Sequence, residues 1–390
     1  MSGSGQQEPL HVVVWAAKEN ASSLHSALKT LGWHYPLAQS KANHAGEIGF
    51  PCRQQKECST DEIEALNALF DSPWQISLES VQTIGPSVNP HERLKEAVMT
   101  WYATNGLVET DPTSYPLPQK WELLGDLVVL PTDAFDSTQW SKLLEGMGAI
   151  EKEKLFSAVA EALGGHRLAR QHQIQDNITR SPQLTLLHGD SGWVEFTDHG
   201  VKFGFDAEHV MFSSGNVTER HRIGSIDMTG EIVIDAYAGT GYYTLPMLVR
   251  SGAAHVHACE LNPASIAGLV WGAQANGVEQ RLTVHHGDNQ ETLPSLRETA
   301  DRCHLGLLPS SEAVWGHALA CLKPSGGWLH IHMNIEKDNL EAWCDEALVS
   351  LKSRAKAMGR NWTVSCHHLE RVKSYSPGVL HVVLDVHCSA

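Results

Sequence analysis

Between Glu231 and Asn262 the chain reads EIVIDAYAGTGYYTLPMLVRSGAAHVHACELN. An apolar run ends in Asp235, and the small-residue turn Ala236-Tyr237-Ala238-Gly239-Thr240-Gly241 follows. Gly239 and Gly241 allow a sharp turn and let a ligand approach the backbone where a Cβ would intrude. The helix expected after the turn aims its free N–H groups at that ligand. A second apolar run, His255 to Cys259, ends in Glu260. This is about 20 residues past the first glycine, where a carboxylate at a strand tip reaches ribose hydroxyls. Together these residues have the chemistry of a half-site for an adenosine-containing cofactor. The third glycine of the dinucleotide fingerprint is missing, since Tyr242, Tyr243 and Thr244 follow Gly241, so a nucleoside fits better than a pyrophosphate.

Positioning these groups takes strand, turn, helix and strand, one βαβ unit. The next helix has Asn262 as N-cap and Pro263 at its first position. From about Ile226 to Trp328 strand-like and helix-like stretches alternate, as in a doubly wound parallel α/β sheet. Trp362 to Leu369 and Leu380 to Val386, around Tyr375-Ser376-Pro377-Gly378, read as a hairpin that closes the sheet with an antiparallel strand. Smaller α+β modules precede this domain. Residues 1–9 read as a disordered N-terminus, 10–80 as a small α/β domain, and 81–115 as a linker and helix. Residues 116–225 read as a substrate-recognition module, in which Leu184–Leu187, Trp193–Phe196, Val201–Phe205 and Val210–Phe212 are expected to form one antiparallel sheet. Residues 226–390 are the cofactor domain.

Composition narrows the class. The 390 residues are 42% hydrophobic, with a mean hydropathy of -0.23, as in an ordinary globular protein. No apolar run approaches a membrane span, and the N-terminus lacks the pattern of a signal peptide. Eight scattered cysteines without zinc-type spacing lead to the expectation of a reduced, cytoplasmic protein. A net charge of -16 argues against bulk attraction to nucleic acid while leaving room for a local RNA site. His285-His286, His330 with His332, and His367-His368 lack a third ligand at convincing spacing, so no metal is expected. His330 reads instead as a polar residue at the cofactor-side end of its strand, and Cys259 and Cys303 as core.

The D-x-x-A-G-x-G turn resembles motif I of S-adenosylmethionine (SAM) enzymes. Asp288-Asn289, after the strand-like Leu282 to His285, then stands where those enzymes place a polar pair against adenine. More of the chain resembles one family in particular. The runs Phe212 to Arg220, DAYAGTGYYTLP, HVHACELNP, HHGDN, LGLLPSS and LHIHMNIE are similar to the archaeal and eukaryotic enzymes that modify guanosine 37 of tRNA. LGLLPSS (Leu305 to Ser311) and VKSYSP (Val372 to Pro377) resemble its wybutosine-pathway branch. The similarity is strong from about Lys120 onward and faint in the first 80 residues.

The resemblance implies a SAM-dependent methyltransferase-like fold that transfers the 3-amino-3-carboxypropyl group of SAM. The implied acceptor is C7 of 4-demethylwyosine in the anticodon loop of phenylalanine tRNA, with methylthioadenosine as by-product. It implies cofactor contacts from Ser213, Arg220, Asp235, Tyr237, Ala238, Gly239, Gly241, Glu260, Asp288 and Asn289. It also implies acceptor contacts from Arg180, Leu307 and Pro309, and a proton-accepting carboxylate at Glu219. Arg220 would meet the carboxylate of SAM, while the bland alternative for Glu219 is an ion pair with Arg220 or Arg222. The sister branch, which methylates N1 of guanosine 37, has N-L-P where this chain has Leu307-Leu308-Pro309, and the missing asparagine favours aminocarboxypropyl transfer. N1-methylation and a non-catalytic RNA-binding scaffold with a vestigial SAM pocket are the rival readings.

Overall fold

A computed structural model describes residues 10–35, 38, 40–43, 45–53, 58–81, 89–107, 115–172, 184–212 and 214–390. The chain divides into two compact units, Met1–Asn89 and Pro90–Ala390. In the first, β1 (Leu10–Ala17), α1 (Ala21–Thr30), β2 (Lys41–Ala42), β3 (Glu47–Pro51), α2 (Thr60–Asn67) and β4 (Trp74–Ser80) form an antiparallel sheet in the order β2-β3-β1-β4. Alternation in β1 turns Val12, Val14 and Ala16 toward Leu24, Leu28, Leu66 and Phe70, and Val13 and Trp15 toward Ala38 and Val81 on the other face, the period-2 geometry of a strand covered on both sides. α2 starts at a capping box, Ser59 with Glu62, which satisfies two otherwise unpaired N–H groups.

The second unit opens with α3 (Pro90–Thr104), β5 (Glu122–Leu124), β6 (Leu127–Leu130), α4 (Thr138–Glu145), α5 (Ala149–Ala162), β7 (Arg167–Gln171) and β8 (Leu184–His188). Its small sheet runs β5-β6-β7-β8. Leu94, Trp101, Trp140, Phe156 and Leu168 form the core on its helix side. The single antiparallel sheet expected over 184–212 is instead divided. β8 completes this first sheet, while β9 (Trp193–Asp198) and β10 (Val201–Asp206) form a separate two-stranded ribbon. Phe212 lies outside any strand and stacks 5.2 Å from Phe205. Aromatic content marks burial as readily as it marks a strand, which explains the difference.

The largest sheet of the described residues has seven strands in the order β13-β12-β11-β14-β15-β17-β16. They are β11 (Ile232–Asp235), β12 (His255–Glu260), β13 (Leu282–His286), β14 (Arg302–Leu305), β15 (Gly326–Glu336), β16 (Thr363–Ser376) and β17 (Val379–Ser389). β11 to β15 pair in parallel, and β17 is antiparallel to both of its neighbours, β15 and β16. α10 (Trp315–Cys321) and α11 (Leu340–Ala357) cover one face, burying Trp315, Leu319, Trp343 and Leu351 against Cys303, Leu329, Ile331 and Leu384. On the other face, α7 (Thr244–Val249), α8 (Pro263–Ala275) and the β9–β10 ribbon pack Leu245, Leu269, Phe203 and Phe205 on Val233, Val256 and Ala258. This shared core means that the boundary expected near residue 225 does not separate two compact units. α6 (Val217–Ile223) precedes β11, and α9 (Asn289–Thr292) follows β13. No helix of the described residues is long and apolar enough to cross a membrane.

Candidate functional site

Strand order reverses between β11 and β14, and a crevice opens beyond the carboxyl ends of parallel strands at such a point. Motif I lies there. Gly239 and Gly241 both have positive φ, 54° and 86°, which L-residues with a Cβ resist. A Cβ on Gly241 would stand 2.6 Å from Leu245, so this glycine is required twice over, for conformation and for the approach of α7.

Asp235 is fully buried. One carboxylate oxygen accepts from Tyr237 N at 3.3 Å and the other from Thr244 Oγ1 at 2.8 Å. It therefore ties the start of the turn to the start of α7 and shapes the cradle from beneath. Ala238 acts similarly, with its N–H on Cys259 O and its carbonyl on Gly241 N.

Glu260 stands at the tip of β12. Its two oxygens accept from Gly239 N at 2.8 Å and Asn262 N at 2.7 Å. The Leu261 N–H also faces the carboxylate, which still has acceptor capacity to spare. Burial pushes its carboxyl up, and the backbone donors partly offset this. Across the cradle, Asn289 Nδ2 donates to Ala236 O at 3.0 Å, and the half-buried Tyr237 lies against Asn289. Asp288 is exposed and caps α9, accepting from Gln290 N at 2.8 Å. Leu307 and Pro309 follow β14 on the other side of the switch point, and Pro309 O accepts from Asn334 N at 2.9 Å. Arg180 and Ser213 lie outside the described residues.

α6 bears on two expectations. Glu219 is 1% exposed. Both of its oxygens are held by Arg222, at 2.7 and 2.8 Å, so the ion-pair alternative is what the structure contains. Burial pushes the Glu219 carboxyl up against the opposing pull of Arg222. Arg220 pairs with Asp198, Nε to Oδ2 at 2.7 Å, and its guanidinium lies 4.6 Å from the Tyr242 ring and 5.0 Å from Phe212. Its Nη1 is buried without a partner, which leaves one donor for a ligand carboxylate.

A buried polar network crosses the sheet beneath the site. Arg222 also donates to Asp385, at 2.7 Å. Asp385 receives His330 Nδ1 at 2.6 Å, and His330 Nε2 meets Arg302 at 2.8 Å. His330 is thus a mid-sheet bridge, not a cofactor-side tip. Beside it His381, His332 and His304 stand in series, 3.0 and 3.1 Å apart. His304 Nδ1 lies 3.7 Å from Asp235. The legible signal for this network was polar residues at alternate positions of otherwise apolar strands: Arg302 and His304, His330 and His332, His381 and Asp385. Among the described residues no group of three or more His, Cys, Asp or Glu is placed to hold a metal ion.

Burial holds His330 and His381 down at about 4 and His332 well below its ordinary value. These groups stay neutral in the folded protein, while the unfolded chain binds their protons below about 6.5. Stability is therefore complete above that value and falls as pH drops from about 6.5 toward 4. Urea midpoints measured over this range should decline steadily, and His381→Gln should flatten the slope.

The bare glycine turn at the switch point of this seven-stranded sheet, with Glu260 at the tip of the next strand, defines a SAM-dependent methyltransferase-like protein. A family profile described as the TRM5/TYW2 methyltransferase domain matches residues 194–361, and one described as the TYW2 N-terminal domain matches residues 111–192. The tRNA wybutosine-synthesizing protein 2 homolog of Rattus norvegicus is 36% identical over 349 residues, covering 77% of this chain and 78% of the rat protein. The tRNA wybutosine-synthesizing protein 2/3/4 of Arabidopsis thaliana is 40% identical over 300 residues, which is 77% of this chain; the match spans 29% of the plant protein. The crystal structure of P. horikoshii TYW2 in complex with MeSAdo has 26% identity and a TM-score of 0.59, covering 76% of this chain and 99% of that one. This chain belongs to the tRNA wybutosine-synthesizing protein 2 family.

Proposed function

We propose that this protein transfers the 3-amino-3-carboxypropyl group of SAM to C7 of 4-demethylwyosine at position 37 of phenylalanine tRNA, releasing methylthioadenosine. The observation that carries the reading is the pairing of Glu260 with the bare turn at Gly239, in a chain of this family. The cradle fits a nucleoside: Glu260 retains acceptor capacity for the ribose, and Tyr237 and Asn289 stand beside the space for adenine. The unpartnered Arg220 Nη1 fits the methionine carboxylate, since a charge-assisted hydrogen bond offsets the desolvation of both groups. Bound SAM supplies a sulfonium whose attached carbons are electrophilic, and orientation selects the one attacked. Leu307 and Pro309 form an apolar wall for the tricyclic base, where an asparagine would favour a guanine edge.

Glu219, sealed by Arg222, holds that arginine in place in this reading. A cytoplasmic setting is part of the proposal; all eight cysteines are free thiols.

Incubation of the protein with 4-demethylwyosine-containing tRNA and SAM labelled at the carboxyl carbon should put label into RNA and yield methylthioadenosine. Label transferred only from the methyl group would make the protein an N1-methyltransferase. Arg220→Met should weaken SAM about tenfold or more, equivalent to about 1.5–3 kcal/mol for one hydrogen bond to a charged group. Methylthioadenosine, which lacks the carboxylate, should bind the variant as it binds the native protein in calorimetry.

A further inference from the structure

Attack by C7 forms a carbon–carbon bond to the transferred group, and the carbon–sulfur bond breaks with its electron pair going to sulfur. The acceptor ring then carries one excess positive charge and must lose its C7 proton, with the C–H pair returning to the ring. A base is needed, and Glu219 is engaged on both oxygens by Arg222.

The histidine series supplies another. An imidazole in a hydrogen-bonded chain donates at one nitrogen and accepts at the other. Asp235 faces His304 Nδ1 at 3.7 Å, so Coulomb attraction favours the tautomer with the proton on that nitrogen. His304 Nε2 must then accept from His332 Nε2, and His332 Nδ1 from His381 Nε2. The direction of each bond is inherited from Asp235. The last nitrogen, His381 Nδ1, is left as a lone pair, and it is buried without a partner.

That nitrogen lies at the acceptor end of the sheet. His381 pairs in register with Asn334, whose N–H is held by Pro309 O. On its other side it pairs with Lys373. The Lys373 side chain reaches Gly215, where an added Cβ would stand 2.7 Å from Nζ. Lys373 thus spans the strand ends just before α6, and an RNA phosphate is the natural group to draw its ammonium aside when the acceptor docks. Asn334 Oδ1 is a second buried acceptor without a partner beside the same loop.

We propose that His381 Nδ1 accepts the C7 proton, and that Asp235, His304 and His332 are positioning residues that fix its tautomer. This inference rests on the aminocarboxypropyl reading. The proton moves from C7 to His381 Nδ1 and leaves to solvent once the product departs, so one proton is released per transfer, as the loss of the sulfonium charge requires. Burial keeps His381 neutral at pH 7, and a C–H on a cationic ring is acidic enough for a weakly basic imidazole.

The test uses the full chain and tRNA carrying 4-demethylwyosine with hydrogen or deuterium at C7. The native protein should show no primary isotope effect, because proton loss follows a slower carbon–sulfur cleavage. His381→Gln should lower kcat about 10²-fold and expose a primary isotope effect, with methylthioadenosine binding unchanged. His332→Gln, which interrupts the chain one link away, should do the same to a smaller extent, and it serves if the first variant does not fold. In the ligand-free protein labelled with 15N-histidine, His381 Nδ1 should resonate as an unprotonated nitrogen. Native kcat in either folded variant, or a protonated His381 Nδ1, overturns the assignment. If the native protein forms no aminocarboxypropyl product, the functional reading fails instead, and the nitrogen spectrum still decides the tautomer.

Discussion

Replacing Arg222 with methionine is expected to destabilise the Pro90–Ala390 unit by about 3–5 kcal/mol, the cost of leaving a buried charge without its partner. Among the described residues Arg222 is the only hydrogen-bonding partner of the Glu219 carboxylate, and it donates twice to Asp385. The Glu219 side chain is fully buried and that of Asp385 nearly so, so solvent cannot take over. Thermal unfolding should start roughly 10 °C lower. Arg222→Lys should recover only part of this, because an ammonium cannot present the guanidinium fork to two carboxylates.

The deficit should also shrink in acid. Burial raises the Asp385 carboxyl, but the hydrogen bond from His330 and the Arg222 guanidinium hold it well below the usual range. A depressed carboxylate contributes stability above its unfolded value, near 3.9, and loses that contribution as pH falls through its folded value. The variant has already lost most of it, so native and variant midpoints should converge below about pH 4. A gap that stays constant with pH would mean that Arg222 acts by packing alone.

The second large effect is expected at Glu260. Alanine there removes the carboxylate proposed to meet the ribose and leaves Gly239 N–H and Asn262 N–H without their partner. The orphaned N–H groups lower stability, while the lost ribose contact, at about 1.5–3 kcal/mol for each hydrogen bond to a charged group, should lower affinity about 10²-fold. The loss should be the same for SAM and for methylthioadenosine, since both carry the ribose, in contrast to the selective loss expected for Arg220→Met. Glu260→Gln keeps one oxygen acceptor and should lie in between. Equal calorimetric affinities for the native protein and Glu260→Ala would remove the cradle from the account.

The rival of a vestigial, non-catalytic pocket is addressed by the same residues. An intact cradle is compatible with binding alone. Asn334 Oδ1 and His381 Nδ1 are both buried without a partner, and in the proposed reading they would give an acceptor base something to meet.

Local pattern was enough for the βαβ unit. The positive-φ glycines, the Asn262-Pro263 helix start and the acidic tip at Glu260 lie within about 30 residues of one another, and short-range sterics and capping determine them. The antiparallel closing hairpin was legible for the same reason, since its turn residues and alternating strands are contiguous. The Glu219–Arg222 pair, three residues apart on one helix, was among the alternatives the local sequence offered, but what Arg220 and His330 contact was not legible. Their partners, Asp198 for the first and Asp385 with Arg302 for the second, lie far off in the chain and are brought together only by tertiary packing, and a residue type carries no record of which opposite charge it will face. The same holds for the three histidines in series, because β14, β15 and β17 become neighbours through crossovers. Sequence therefore determined which chemistry is present and where the cofactor half-site begins. Tertiary packing decided which ionisable groups are paired and silent and which retain a bare lone pair, because burial and long-range contact set the cost of every unpaired charge.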